Sequence, residues 1–336
     1  MTRRLALLAL LGLAALTAAS AAVGRTSGTT VNLVAYSTPK PVLAKVVALW
    51  NETPQGKGVS VTQSYGASGA QARAIAAGQP ADIAFLSTGD DVNTLVDAGL
   101  VARNWDKAPY GGLAADSVVA FVVRAGNPKR IRAWSDLVKP GVQIVTPNPF
   151  SSGSAKWNIL AAYGAQRKLG KSDKQATAFV QSLFRNVVSQ DSSGANAMNT
   201  FLAGKGDVLI TYESEAYAAV AAGKDVHMVI PKQTMVIQLP MVVLKNSSNR
   251  AKAQQFVAFA QSERAQELFA QNGYRPVNKV ALRKYASRYG GRPVMFTIAD
   301  RLFGGWRKAD KVWFDPSKGR MASIEQRVGG PTGAGG

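Results

Sequence analysis

The sequence predicts an α/β protein made of two lobes, and three observations support this prediction. Apolar segments rich in strand-forming residues alternate with amphipathic segments, which is typical of mostly parallel sheets flanked by helices. The chain has 336 residues, whereas a single hydrophobic core stops growing at about 250–300 residues. Late in the chain, the long apolar stretch Val236–Leu244 marks the point where we expect a return to the first lobe.

The first group of elements repeats one order: strand, small-residue loop, helix. Ser37-Thr38-Pro39 places a capping residue and then a proline at the start of the first helix, and Gly78 with Pro80 ends the second helix. In chain order we predict the strand Val31–Tyr36, the helix Pro41–Trp50, the strand Val59–Tyr65, the helix Gln71–Ala77 and the strand Ala81–Leu86.

The second half of the chain repeats this plan. We predict the strand Ser117–Arg124, the short helix Trp134–Val138, the strand Val142–Thr146, a helix from Ser151 through Lys168, the strand Val187–Gln190, a helix toward Leu202, the strand Val208–Tyr212, the helix Glu215–Ala222, the strand Val236–Leu244 and one long helix Gln254–Asn272. We therefore expect lobe 1 to comprise residues 29–113 plus 232–328 and lobe 2 to comprise residues 114–231. The glycine-rich tail, residues 329–336, is expected to be disordered.

The first 21 residues have the pattern of a secretory signal peptide. Arg3 and Arg4 form a basic start, Leu5–Leu16 is an apolar run too short for a comfortable membrane span, and Ala19-Ser20-Ala21 is a small-x-small cleavage site. We therefore expect cleavage near Ala21 and a secreted or periplasmic mature protein. The sequence contains no cysteine, which excludes disulfides, thiol chemistry and attachment of a lipid through an N-terminal cysteine.

The chain is strongly basic. Its formal net charge is +20, which falls to +18 when Arg3 and Arg4 leave with the signal peptide. Such an excess indicates an acidic partner: nucleic acid, a membrane surface, a polyanionic wall or a small anion. The basic residues are dispersed, and dense groups such as Lys129–Arg132 and Arg307-Lys308 are short, which favours a solvated surface over a nucleic-acid groove.

Four junctions between a strand and a helix share one chemistry. Each is a short loop of small or polar residues, centred on Ser37, Ser68, Ser152-Gly153 and Gly194. Such a junction presents unpaired backbone N–H groups and the positive end of a helix dipole, and serine adds a hydroxyl donor. In open α/β sheets ligands bind beyond the carboxyl ends of the strands, where all four loops fall. Together they predict a cleft that surrounds a small anion with neutral donors.

The sequence contains little that supports an enzyme active site. There is no cysteine nucleophile, no G-x-S-x-G elbow and no P-loop lysine, and His227 is the only histidine. One histidine without cysteine also argues against a zinc site. We expect a binding protein that needs no metal and no cofactor, with a secreted hydrolase as the alternative from a different class.

One long motif identifies a family resemblance. Thr146-Pro147-Asn148-Pro149-x-Ser151-Ser152-Gly153, followed by Ala155-Lys156-Trp157-Asn158, closely resembles the signature of periplasmic sulfate-binding proteins of ABC importers. Further matches, in order, include Gln63-Ser64-Tyr65-Gly66-x-Ser68-Gly69, Arg124-x-Gly126-Asn127-Pro128-Lys129, Gly206-Asp207-Val208-Leu209-Ile210 and Phe303-Gly304-Gly305-Trp306. The resemblance covers nearly all of the chain after the signal peptide.

The resemblance implies a type II periplasmic-binding-protein fold with the ligand in the cleft between the lobes. It implies a monomer that binds dehydrated sulfate through hydrogen bonds alone and delivers it to a membrane permease and its ATPase, with no nucleic-acid partner. The ligand-binding residues implied by the resemblance and the loops are Ser37, Ser68, Gly69, Ser152, Gly153, Ser154, Gly194, Ala195 and Tyr212.

Two of these residues depart from the family pattern. Ser154 stands where the family has glycine, and Tyr212 stands where it has a donor tryptophan. Related molybdate-binding proteins use a tyrosine in a comparable role, so thiosulfate and molybdate or tungstate remain open beside sulfate. Phosphate carries a proton at neutral pH that needs an acceptor, and Asp191, near the fourth loop, is the residue that would supply one.

Overall fold

A computed structural model describes residues 29–290 and 293–333, so the predicted signal peptide lies outside the described residues. The strands are β1 Thr30–Tyr36, β2 Ser60–Gly66, β3 Ile83–Phe85, β4 Leu113–Arg124, β5 Ile144–Pro147, β6 Val187–Asp191, β7 Val208–Tyr212, β8 Val226–Val229, β9 Gln233–Val243 and β10 Val294–Phe296. The helices are α1 Lys40–Asn51, α2 Ser68–Ala76, α3 Gly89–Asp97, α4 Gly153–Lys168, α5 Asp173–Arg185, α6 Gly194–Leu202, α7 Glu213–Ala221, α8 Arg250–Ala260, α9 Glu263–Gln271, α10 Lys279–Lys284, α11 Trp306–Trp313 and α12 Arg320–Val328. In the described part of the chain, no helix is long and apolar enough to cross a membrane.

The strands form a sheet with the order β2-β1-β3-β9-β4-β7-β5-β6. At one end β1 pairs in parallel with β2 and β3, and at the other β5 pairs in parallel with β6 and β7. The long strands β4 and β9 run antiparallel to each other and to their outer neighbours β7 and β3. The two parallel groups with their helices are the two lobes, joined by β4 and β9. The predicted two-lobed α/β fold is therefore confirmed.

Aromatic side chains fill the cores on both sides of the connecting strands. Trp50 meets Phe256 edge-on at 5.2 Å between ring centroids, and Phe121 meets Trp134 at 4.8 Å in the same geometry. Trp157 on α4 is fully buried. Burying rings of this size is a major source of stabilisation, and it holds α4 in place behind the cleft.

Four local predictions were wrong or incomplete. The predicted long helix Gln254–Asn272 is two helices, α8 and α9, because Ser262 caps a new helix by accepting a hydrogen bond from the Ala265 N–H. The sequence analysis missed α5, although Ser172 and its helix form a capping box. The segment Trp134–Val138 is a 3₁₀ helix. Finally, α2 begins at Ser68, within the stretch predicted to be a loop.

Candidate functional site

A small cavity lies between the two lobes and is lined by neutral residues. One wall comes from the segments after β1, β2 and β3, and the other from the starts of α4 and α6. The lining residues are Tyr36, Ser37, Thr38, Gly66, Ala67, Ser68, Ser87, Ser152, Ser154, Ser193 and Gly194. This lining contains hydroxyl groups and glycine backbone and no charged side chain, so it suits a ligand that accepts hydrogen bonds.

Three helices begin at the cavity: α2, α4 and α6. The N-cap residues of α2 and α4 are Ala67 and Ser152. Among the described residues, neither side chain accepts a hydrogen bond from a backbone N–H of its helix. At α6, Ser193 caps the helix by accepting from the Asn196 N–H. The first N–H groups of a helix have no partner within the helix, and the helix dipole makes this end positive. Helix starts of this kind have the donors and the dipole orientation that suit an anion.

Three hydroxyl oxygens in the lining have no partner among the described residues. These are Tyr36 Oη, Thr38 Oγ1 and Ser154 Oγ, and all three are buried. Buried polar atoms without partners are uncommon because losing water is costly. These three hydroxyls are therefore available to donate to a ligand in the cavity.

The hydroxyl of Ser68 is already used within the protein. It donates to Asp91 Oδ2 at 2.6 Å and accepts from the backbone N–H of Ser87 at 2.8 Å. Its single proton is therefore directed away from the cavity. What remains for an anion at this position is the backbone N–H at the start of α2.

Tyr212 lies behind the cavity wall. The tyrosine is fully buried and is not part of the lining. Its Oη lies 2.6 Å from the Oγ of Ser87, which is a lining residue. Burial raises the pKa of the Tyr212 phenol well above its usual value, so it stays protonated at neutral pH. Trp157 holds the same segment from lobe 2, since its Nε1 donates to the Ser87 carbonyl at 2.7 Å.

The structure brings five of the nine predicted site residues into the lining: Ser37, Ser68, Ser152, Ser154 and Gly194. The other four lie beside it. A Cβ on Gly153 would meet Ser87 Oγ at 2.7 Å, and one on Gly69 would meet the Ser151 carbonyl at 3.1 Å, so both glycines allow the lobes to approach closely. Ala195 lies in an adjoining groove, and Tyr212 lies behind Ser87.

Sequence reasoning missed six lining residues: Tyr36, Thr38, Gly66, Ala67, Ser87 and Ser193. A signal for Ser87 was present. Ser87-Thr88 follows β3 and precedes α3, and Thr88 caps that helix by accepting from the Asp91 N–H. This is a fifth junction of the kind already recognised at the other four loops.

Comparison with known proteins identifies the family. The profile of the family described as bacterial extracellular solute-binding protein matches residues 31–275. A sulfate-binding protein from Synechococcus elongatus is 35% identical over 310 residues, which is 89% of this chain and 87% of that protein. The chain belongs to the bacterial extracellular solute-binding proteins. A thiosulfate-binding protein from Pseudomonas aeruginosa is a further relative, at 34% identity over 77% of this chain and 80% of that protein.

A solved structure of this solute-binding family shares the fold closely. The sulfate-binding protein SubI from Mycobacterium tuberculosis H37Rv superimposes with a TM-score of 0.82 at 44% identity, covering 85% of this chain and 100% of that one.

Charged groups in this solute-binding protein stand behind the neutral lining. On α4, Lys156 Nζ lies 2.5 Å from Asp90 Oδ2 on α3 and 2.7 Å from Asp310 Oδ1 on α11. Burial alone would lower the pKa of Lys156, but the carboxylates of Asp90, Asp91 and Asp310 outweigh it and raise that pKa. Lys156 therefore stays charged and ties the two lobes together beside the cavity.

A second buried acid lies beside Gly194. Glu215 Oε2 would be 3.2 Å from a Cβ at that glycine, and it accepts a hydrogen bond from the Thr211 hydroxyl. Burial raises the pKa of Glu215 to about 7, against the opposing effect of Thr211. This shift reduces the negative charge that Glu215 carries beside the cavity near neutral pH.

Proposed function

We propose that this protein captures sulfate outside the cytoplasm and delivers it to an ABC importer by closing its lobes around the dehydrated anion. The observation behind the proposal is the neutral cavity at the starts of α2, α4 and α6, with the unpartnered hydroxyls of Tyr36, Thr38 and Ser154. Sulfate offers only acceptor oxygens at neutral pH, so it matches a lining made of donors. The sulfate-binding relatives in Synechococcus elongatus and Mycobacterium tuberculosis support the same ligand.

Phosphate fits this cavity less well. Its remaining proton needs an acceptor, and Asp191 is engaged elsewhere: its two carboxylate oxygens accept from Thr200 at 2.7 Å and Ser189 at 3.2 Å. Asp191 is also outside the lining. Thiosulfate is the second candidate, because one relative binds it and its shape and charge resemble those of sulfate. Molybdate and tungstate are larger tetrahedral anions that test the size of the same cavity.

The proposed ligand contacts follow from the placement of the nine predicted residues. Ser37, Ser152, Ser154 and Gly194 contact the anion from the lining, and Ser68 contributes its backbone N–H. The backbone at Gly69, Gly153 and Ala195 supports the same helix starts, and Tyr212 acts through Ser87.

The wider role follows from the proposed ligand and the two-lobed fold. We infer a monomer that is not an enzyme and binds no nucleic acid, with a membrane permease and its ATPase as partners. Lobe 1 comprises residues 29–113 plus 232–328, and lobe 2 comprises residues 114–231.

Signal cleavage near Ala21 gives a periplasmic or secreted protein. Mass spectrometry of the exported protein should find its N-terminus near Ala22, and an intact Met1 would contradict export by cleavage.

Calorimetric titration of the purified protein with sulfate, thiosulfate, molybdate and phosphate tests the ligand. We expect sulfate to bind most tightly, in a one-to-one complex, and phosphate to bind most weakly. Tighter binding of thiosulfate or molybdate would assign the site to that anion. Hydrolysis of sulfate or phosphate esters by the protein would favour a secreted hydrolase instead.

A further inference from the structure

The glycine-rich end of the chain has a defined path. Gly329 ends α12 with a φ of +73°, and its N–H and that of Gly330 both donate to the Glu325 carbonyl. A Cβ on Gly330 would lie 1.9 Å from Glu325 Oε2, so a side chain at this position would displace the Glu325 carboxyl. These glycines turn the chain back across Glu325.

This turn brings the end of the chain to the roots of both anion loops of lobe 2. Asn148, at the start of the loop that leads to Ser152, donates from Nδ2 to the Gly333 carbonyl at 3.0 Å. Gln190, at the end of β6, donates from Nε2 to Glu325 Oε2 at 3.0 Å. The first loop supplies Ser152 and Ser154 to the cavity, and the second supplies Ser193 and Gly194.

Asn148 organises the first of these loops and is almost fully buried. Its N–H donates to the Asp191 carbonyl at 2.8 Å, which links it to the second loop. Its carbonyl accepts from the Ser152 N–H at 2.9 Å, and its Oδ1 accepts from the Phe150 N–H at 2.8 Å. The contact with Gly333 therefore engages the side chain that sets the position of Ser152.

The contact with the second loop has the form of an acid–amide pair. Glu325 is fully buried, and among the described residues Glu325 Oε1 and Gln190 Oε1 both lack a partner. A protonated Glu325 would donate from Oε1 to Gln190 Oε1, which completes a two-bond pair beside the observed Nε2 bond. Burial raises the pKa of Glu325 to about 7, against the opposing effect of the Gln190 bond. A glutamine at position 325 can make the same pair.

We propose that α12 and residues 329–333, which we call the C-terminal strap, position the two anion loops of lobe 2 through Glu325 and Gly333. Among the described residues, Glu325 and Gly333 make no hydrogen bond to the cavity lining; they act through Gln190 and Asn148. The proposal depends on the proposed function only for the identity of the anion, because the order of the loops can be measured without any ligand.

Hydrogen exchange in the ligand-free protein, followed by mass spectrometry, measures the order of residues 148–155 and 190–197. Two variants break the strap: Glu325→Ala, and a chain that ends at residue 328. We expect faster exchange in these segments and affinity for sulfate about tenfold lower, because the donors must be ordered when the anion binds. Glu325→Gln should restore both properties. Arg327→Ala is the matched control, since this exposed residue of α12 bonds Gln181 on α5.

Unchanged exchange and unchanged affinity in both strap variants would overturn the proposal. A lower unfolding temperature with wild-type exchange in the loops would also overturn it, because the strap would then only add stability. If Glu325→Ala does not fold, the shortened chain decides, since it retains α12. Wild-type protein that fails to bind sulfate, while the strap variants still loosen the loops, would reject the proposed function and retain the strap.

Discussion

Tyr212 Oη and Ser87 Oγ lie 2.6 Å apart, so one hydrogen bond joins the end of β7 to the segment after β3. The two strands lie on opposite sides of β4 and β9 in the sheet order, so the bond links the two lobes. Ser87 lines the cavity and Tyr212 does not. The tyrosine thus takes part in closing the cleft and in holding a lining hydroxyl.

Tyr212→Phe should weaken sulfate binding about two- to tenfold, because a hydrogen bond between neutral groups contributes about 0.5–1.5 kcal/mol. A direct bond from Tyr212 to the anion would cost more, about one to two decades. Titration calorimetry measures the change. Tyr163→Phe is the control, since its hydroxyl bonds Asp173 away from the cavity. A wild-type dissociation constant for Tyr212→Phe would show that the bond to Ser87 plays no part in binding.

Gly153→Ala should impede closure of the lobes. The added Cβ would lie 2.7 Å from Ser87 Oγ and 2.8 Å from Thr88 Cγ2. Overpacking of this kind costs about 1–3 kcal/mol, which corresponds to about one to two decades of sulfate affinity. Gly290→Ala is the matched control, because its Cβ would meet no atom of the described residues within 4 Å. Equal affinity of the two variants would contradict the close approach of the lobes at Gly153.

Stability should fall as pH rises from about 4 to 7. Burial raises the pKa values of Asp116, Glu215 and Glu325 each to about 7. Below their unfolded-state pKa values both states hold these protons, and stability is highest. As pH rises toward 7 the unfolded state releases protons that the folded state keeps, so stability declines.

Thermal unfolding across this pH range measures the effect, and we expect a decline in unfolding temperature on the order of 5 °C. Glu325→Gln removes one of these titrating groups and should make the profile shallower. A flat profile for the wild type, or the same slope in the variant, would contradict the assigned protonation of these carboxyls.

The sequence predicted the parts of the fold and site that depend on local pattern. The loop before α4 was visible because Ser152-Gly153 combines small residues, a donor hydroxyl and a preceding apolar strand. Ser87 belongs to the same pattern and could have been found. The long helix was predicted because Ser262 gives only a weak local signal within a helical stretch.

Other features depend on partners distant in sequence. The Ser68 hydroxyl donates its proton to Asp91, which lies on the next helix. No local pattern reveals which way that proton points. The contacts of the glycine-rich tail with Asn148 and Glu325 likewise could not be predicted from its composition. Contacts over such separations arise only when the fold is complete.

The central claim is that neutral donors at helix starts, and not the net charge of +20, hold the anion. Titration of sulfate across a chloride series, from about 0.01 to 0.15 M, tests this claim most directly, because screening then tightens from about 30 to 8 Å. Short hydrogen bonds in a closed cavity are barely screened. We therefore predict that the dissociation constant changes less than about threefold, while association slows as steering by distant charges weakens. A tenfold or greater loss of affinity over this range would contradict the account and assign the binding to charge.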